Sequence, residues 1–128
     1  MSERLLRWAP ALLWAGAVFW LSSRSRLVEM PDALSWDKLQ HCAAYAVGGA
    51  AIAHATGARG RAAWTAVALG VLYGASDEIH QRFVPGRSSE VGDFLADALG
   101  VAAGVFIYRT YLSWRGGRTT PRARAVRP

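Results

Sequence analysis

Four apolar runs alternate with blocks of polar residues along the chain. They cover residues 5–22, 39–56, 62–76 and 94–112, and each approaches the roughly 20 apolar residues that a helix needs to cross a bilayer. A soluble amphipathic helix keeps a polar stripe along its length. Residues 43–53, 66–75 and 99–107 offer almost no charge on any face, which argues against a water-soluble bundle. The pattern predicts an all-α fold, an integral membrane four-helix bundle, in residues 1–112. Residues 113–128 lack apolar periodicity and hold Arg115, Arg118, Arg122, Arg124 and Arg127 among Gly, Pro and Thr; this segment is expected to be a basic, disordered cytoplasmic tail.

The first run shares features with a signal peptide, since Arg4 and Arg7 precede an apolar core that ends at Ser22 and Ser23. Trp8, Trp14, Phe19 and Trp20 make that core bulkier and longer than such segments carry, so a retained span is the reading adopted. Lipid tails are as apolar as leucine, and membrane helices therefore associate through close packing and polar contacts. Gly48, Gly49, Ala50, Ala51 and Ala53 in the second run, Gly70 and Gly74 in the third, and Ala96, Gly100 and Gly104 in the fourth supply small faces for such contact. These three runs are expected to form the core. The first should lean against it, turning its large aromatics toward lipid or the interfacial belts. Asp37-x-Leu39-x-His41 and Asp93-x-Leu95-x-Asp97 open the second and fourth runs with similar spacing, too short a match to establish a duplication.

Charge sets the expected orientation. The chain has 15 Lys and Arg against 9 Asp and Glu, a net charge of +6. Arg4, Arg7, Arg59, Arg61 and the arginines of the tail all fall on one side of a four-span protein. The other side carries Arg24, Arg26, Glu29, Asp32, Asp37 and Lys38 in one loop, with Asp77, Glu78, Arg82, Arg87, Glu90 and Asp93 in or beside the other, and is balanced or slightly acidic. The positive-inside rule then gives a multi-pass protein of the cell membrane with both termini cytoplasmic, its tail near anionic lipids. Nucleic acid is not an expected partner, because the tail has neither interleaved aromatics nor a recognisable module. With one cysteine, Cys42, no internal disulfide can form, and its place near the start of a span points to packing.

On this topology the ionisable residues gather at the outer ends of the helices. Asp37 and His41 are four apart, as are Asp93 and Asp97, and residues four apart share a helix face. Asp77, Glu78 and Gln81 cover the end of the third run, Ser22 and Ser23 the end of the first, and Arg82 and Arg87 offer opposing charge. Asp37 and Asp93 also suit helix starts, where a carboxylate meets the positive end of the dipole. Capping does not explain Asp77 and Glu78 at a C-terminal end, nor Asp97 one turn inside an apolar span. Such acids are expected to face the bundle interior and pair with one another, with a cation or with an ion. Asp37, His41, Asp77, Glu78 and Asp97 make a carboxylate and imidazole set for a metal, but no H-E-x-x-H or cysteine pair accompanies it, and the residues name no metal or other cofactor. His54 reads as a packed or interfacial group and His80 as solvent-facing. Ser76, Ser88 and Ser89 lack a nucleophile signature.

The run Asp37-Lys38-Leu39-Gln40-His41, followed by Tyr45, then Asp77-Glu78-Ile79-His80-Gln81-Arg82-Phe83-Val84-Pro85-Gly86-Arg87, then Asp93 with Gly100, resembles the VanZ-like family of bacterial membrane proteins. The likeness covers roughly residues 22–104 and follows the pattern D-K-x-x-H, D-E-x-x-Q-x-F-x-P-x-R and D-x-x-x-N-x-x-G. It picks out Asp37, Lys38, His41, Tyr45, Asp77, Glu78, Gln81, Arg87 and Asp93. Asp97 stands where the family commonly has asparagine, and Cys42 replaces a bulky apolar residue. The family is named for a protein associated with resistance to teicoplanin, so the resemblance implies an envelope role at the outer face.

Three functions follow as expectations. In the first, Asp37, Lys38, Gln81, Arg82, Arg87, Asp93 and Asp97 bind a membrane-lipid head group or a lipid-linked envelope precursor without turnover, and glycopeptide susceptibility changes with it. In the second, the protein is an enzyme on such a lipid, with Glu78 or Asp77 as general base, His41 as acid partner and an arginine holding the anionic head. Ion or proton transport is the third, and it is weakened because the charges stop at one membrane face. Oligomeric state is not legible.

Overall fold

The computed structural model describes residues 3–25 and 34–118, with side-chain surroundings in the second stretch for residues 37–116. Arg26, Glu29 and Asp32 of the first loop and Arg122, Arg124 and Arg127 of the tail lie outside the described residues. The described chain is all α: α1 Glu3–Leu6, α2 Ala9–Ser22, α3 Leu34–Thr56, α4 Arg61–Gln81 and α5 Val91–Arg118. α1 is a single turn leading into α2. The break between them has a local cause, Pro10 in the first turn of α2, where its missing N–H costs nothing but its ring would clash with a continuous helix. The result is a four-helix bundle.

The helices outrun the apolar runs. α3 begins five residues before its run, α4 continues five residues beyond its own, and α5 extends from three residues before its run to six beyond Leu112. Polar residues continue α3, α4 and α5 where apolar patterning stops, so hydropathy understates their length, whereas α2 ends with its run at Ser22. Between α3 and α4, Gly57 and Gly60 take positive φ of 84° and 54°, the left-handed turn that glycine adopts without strain. Between α4 and α5, the Arg87 amide donates to the Val84 carbonyl at 3.2 Å. Pro85 and Gly86 form the corner, with Gly86 at φ 76°, as a type II turn requires.

Contacts in register give the topology. α3 and α5 pair in rising order, Lys38 with Asp93, His41 with Asp97 and His54 with Tyr108, so they run parallel. α4 returns antiparallel to both, with Gly70 beside Val101 and Gly74 beside Asp97. α2 runs parallel to α4: Tyr73 donates to the Ala15 carbonyl at 2.6 Å, and His80 meets Ser23 at 3.0 Å. This up-down-up-down order collects the C-termini of α2 and α4 and the N-termini of α3 and α5 at one end.

The tightest interface is α3 against α5. A Cβ on Gly100 would run into the Cys42 carbonyl, on Gly104 into the Ala46 carbonyl, and on Gly49 into the backbone of Val101. Backbone meets backbone here because no side chain stands between, the small-residue packing that membrane helices use. α2 packs mainly on α3 and lightly on α4. Trp14 is not a lipid-facing group: its indole N–H donates to the Ala44 carbonyl at 2.9 Å, and its ring meets Tyr45 edge-on at a centroid distance of 5.3 Å. Trp14 is half-buried, and a Trp turned inward is held there when its N–H finds a partner. Phe19 and Trp20 are exposed.

Large apolar side chains cover the outside, among them Leu13, Trp64, Leu72, Leu99 and Phe106, each at least two-thirds exposed. Such a surface suits lipid. Among the described residues, two helical stretches, Glu3–Ser22 and Val91–Gly116, are long and apolar enough to cross a membrane. α3 and α4, at 23 and 21 residues, have the length, but their polar ends lower their mean hydropathy, so they do not join the other two on composition.

Replacing Gly104 by Val should destabilise the bundle by about 2–3 kcal/mol or more, since the obstacle is backbone that cannot rotate away. Gly16, with open space at its Cβ position, should accept Ala with no loss. Unfolding of each purified variant in detergent, followed by circular dichroism, measures the contrast.

Candidate functional site

The end at which α2 and α4 finish and α3 and α5 begin holds nearly all the ionisable side chains that the sequence singles out. Three groupings share it.

The first is an ion-pair cluster between α3 and the start of α5. Lys38 bridges Glu90, at 3.0 Å, and Asp93. Asp93 is buried, and Gly92 lets the Lys38 stem lie flat against α5, since a Cβ there would stand 2.8 Å from Lys38 Cε. Lys38 stands just before the apolar run of α3, and its hydrogen bond to Asp93, aided by Glu90, holds its pKa above the ordinary lysine value against the opposing effect of burial. Glu90 was a loop charge without a role in the sequence reading; the need of Lys38 for a second acid is the signal that would have found it.

Deeper in the bundle, His41 Nδ1 and Asp97 Oδ1 are 2.9 Å apart, and the ring nitrogen donates to the carboxylate. Asp97 is fully buried and Glu78 is 5% exposed. One oxygen of Glu78 accepts from the Ser89 hydroxyl at 2.9 Å, and Ser89 in turn accepts from Arg82 at 3.4 Å. The other oxygens, Glu78 Oε1 and Asp97 Oδ2, are buried without a hydrogen-bond partner. Asp77 differs: its Oδ2 accepts from both the Tyr45 hydroxyl, at 3.2 Å, and the Gln81 amide, at 3.0 Å. The acid partner expected for Glu78, His41, is thus hydrogen-bonded to Asp97.

The third element is a cavity of about 230 Å³. Ser22, Asp37, Gln40, His41, Asp77, Gln81 and Arg87 give it polar walls, and Val18, Leu21 and Ala44 give it an apolar one. Arg87 donates to the carbonyls of Leu21, at 2.8 Å, and Arg24, at 3.3 Å. It caps the C-terminal end of α2, where a guanidinium is favoured by the exposed carbonyls and the dipole. Cavity and ion-pair cluster therefore divide the residues grouped by sequence. Asp37, Gln81 and Arg87 line the cavity with Asp77 and His41. Lys38, Arg82, Asp93 and Asp97 do not, and neither does Glu78. Gln40 was read only as part of a motif. His80, expected to face solvent, is half-buried between Ser23 and a stacked Phe19 ring. His54 bonds to Tyr108 at 2.9 Å at the far end, where it was expected to pack.

Two triads bring three metal-capable side chains together: Asp37, His41 and Asp93, and His41, Glu78 and Asp97. They share His41.

Residues 8–113 match the family model described as VanZ/LLP1. No curated protein matches, and no solved structure does.

Changing Lys38 to Met should cost about 1–3 kcal/mol, because Asp93 would keep its buried charge and lose its cation. Adding Asp93→Asn should recover much of that loss. Thermal unfolding of the single and double variants in one detergent tests the pairing.

Proposed function

The chain belongs to the VanZ/LLP1 family, and from that premise we propose that this membrane protein crosses the cell membrane four times with both termini in the cytoplasm and uses its cavity to bind the polar head of an envelope lipid. The class includes membrane-lipid head groups and lipid-linked wall precursors. One observation carries the reading: the cavity combines carboxylates, carboxamides and a guanidinium with an apolar wall, at the end of a bundle whose outside is apolar. Asp37 and Asp77 suit the donors of an amine or sugar, Arg87 suits phosphate, and Val18 and Leu21 suit the first carbons of an acyl chain. An effect on teicoplanin susceptibility follows if the bound lipid is one that the drug meets at the surface.

The positive-inside rule supports the orientation. Arg59 and Arg61 lie at the end of the bundle opposite the carboxylates, beside the arginines of α1 and the C-terminal part of α5. The charge pattern thus turns the cavity outward, and the domain is taken as residues 1–112 with the basic tail on the inner side.

Catalysis on the same lipid is the second reading, and the buried Glu78 beside His41 favours it. Against it, Asp77 already accepts two hydrogen bonds and His41 is engaged by Asp97. A base needs an accepting atom within reach of the substrate, and Glu78 is not among the residues that line the cavity.

Mass spectrometry of lipids and wall precursors from cells lacking the protein, expressing it, or expressing Glu78→Gln separates the readings. Binding predicts matching profiles in all three, a lipid that copurifies with the wild-type protein, and its loss from Asp37→Asn. A species that changes with wild type but not with Glu78→Gln would establish the enzyme instead. For orientation, a membrane-impermeant thiol reagent applied to intact cells in a Cys42→Ala background should label Ser88→Cys and spare Arg59→Cys; the opposite pattern reverses the topology.

A further inference from the structure

Two carboxylate oxygens buried without a partner, converging with an imidazole, are an expensive arrangement. A desolvated carboxylate persists only when paired, neutralised or bound to a metal. Glu78 Oε1 and Asp97 Oδ2 are buried without a hydrogen-bond partner, while the second oxygen of each is held, by Ser89 and by His41. Among the described residues the ion pairs do not include Glu78, and the chain's one lysine, Lys38, is committed to Glu90 and Asp93. The ligand-capable atoms of His41, Glu78 and Asp97 all lie within 4.8 Å of one another. Ligands about 2.0–2.2 Å from a zinc-class ion stand roughly 3–3.5 Å apart, so modest side-chain rotation closes the set.

We infer that His41, Glu78 and Asp97 form a binding site for a divalent transition-metal ion of the Zn²⁺ or Mn²⁺ class. The donor set fixes the class: one imidazole nitrogen with carboxylate oxygens suits these ions, whereas Mg²⁺ and Ca²⁺ prefer oxygen alone. Charge agrees, since two carboxylates and a neutral imidazole offset a dication. Existing ion pairs also select this triad over its neighbour. The ligand-capable atoms of Asp37, His41 and Asp93 also lie within 4.8 Å of one another, but Asp93 is already neutralised by Lys38. His41 lines the cavity while Glu78 and Asp97 do not, so an ion would enter through the cavity and sit in its wall. This goes beyond the head-group reading and stands or falls separately from it: the cavity can bind lipid with the triad empty, and the triad can bind metal with no lipid present.

The test uses the full chain, purified in detergent without a histidine tag, stripped with chelator and titrated with Zn²⁺ by calorimetry and with Mn²⁺ by electron paramagnetic resonance. Wild type should bind one ion per chain with an affinity tighter than millimolar. Glu78→Gln and Asp97→Asn should each weaken it by at least about the 10- to 100-fold that loss of a supporting contact alone costs, while His54→Gln at the far end leaves it unchanged. In the Mn²⁺-loaded wild type, spin-echo modulation should report one imidazole nitrogen, absent from His41→Gln. The nitrogen signal needs no carboxylate variant, so the inference stays testable if Asp97→Asn does not fold. It is overturned if wild type takes up no ion at submillimolar concentration, if binding survives both carboxylate changes, or if Asp37→Asn abolishes it while Glu78→Gln does not.

Discussion

The approach of α3 to α5 without intervening side chains is the constraint on which the rest of the structure depends. Gly49, Gly100 and Gly104 let two backbones touch, and the register of that contact decides which polar groups meet. Lys38 falls against Asp93 and His41 against Asp97 because the glycines below them fix how far one helix slides along the other. A slip of one helical turn, about 5.4 Å, would break both pairs, carrying Lys38 to Asp97 and His41 to Val101, or His41 to Asp93 and Lys38 to Ser89. In hydrocarbon there is no hydrophobic gain in bringing helices together, so packing and these polar contacts must agree on a single register.

α4 and α2 build on that pair in different ways. α4 returns antiparallel alongside the paired helices and brings Asp77, Glu78 and Gln81 to the same level from the opposite direction. The Tyr45 hydroxyl reaches across from α3 to Asp77. α2 contributes mainly wall, held by Trp14 in the middle and by Arg87 at its end. The cavity lies between the firmly packed three and this lighter fourth.

Much of this was legible in the sequence, for physical reasons that can be named. The number of helices and their close-packed faces follow from apolar runs and from glycine spacing, and the convergence of charges at one end follows from an alternating path. Asp97 stood out as an acid inside an apolar run, and the structure buries it completely. What could not be read was pairing. Asp37 and His41 share a face by spacing, but which of several nearby acids His41 meets depends on helix rotation, which four-residue periodicity does not determine. For the same reason the sequence put Lys38, Arg82 and Arg87 in one group, while the structure sends them to an ion-pair cluster, a serine and the end of α2. Trp14 was misread because composition cannot tell a lipid-facing indole from one whose N–H has found a carbonyl.

The parallel pairing of α3 and α5 has a consequence for how the chain is made. Partners at the two polar contacts are 55 and 56 residues apart, and α4 must be synthesised before they meet. At roughly 5–20 residues per second, that interval lasts about 3–11 seconds. During it, Lys38 and His41 have been made and neither Asp93 nor Asp97 exists to receive them. Until then the early half of the protein carries two bases whose acids have not yet been made.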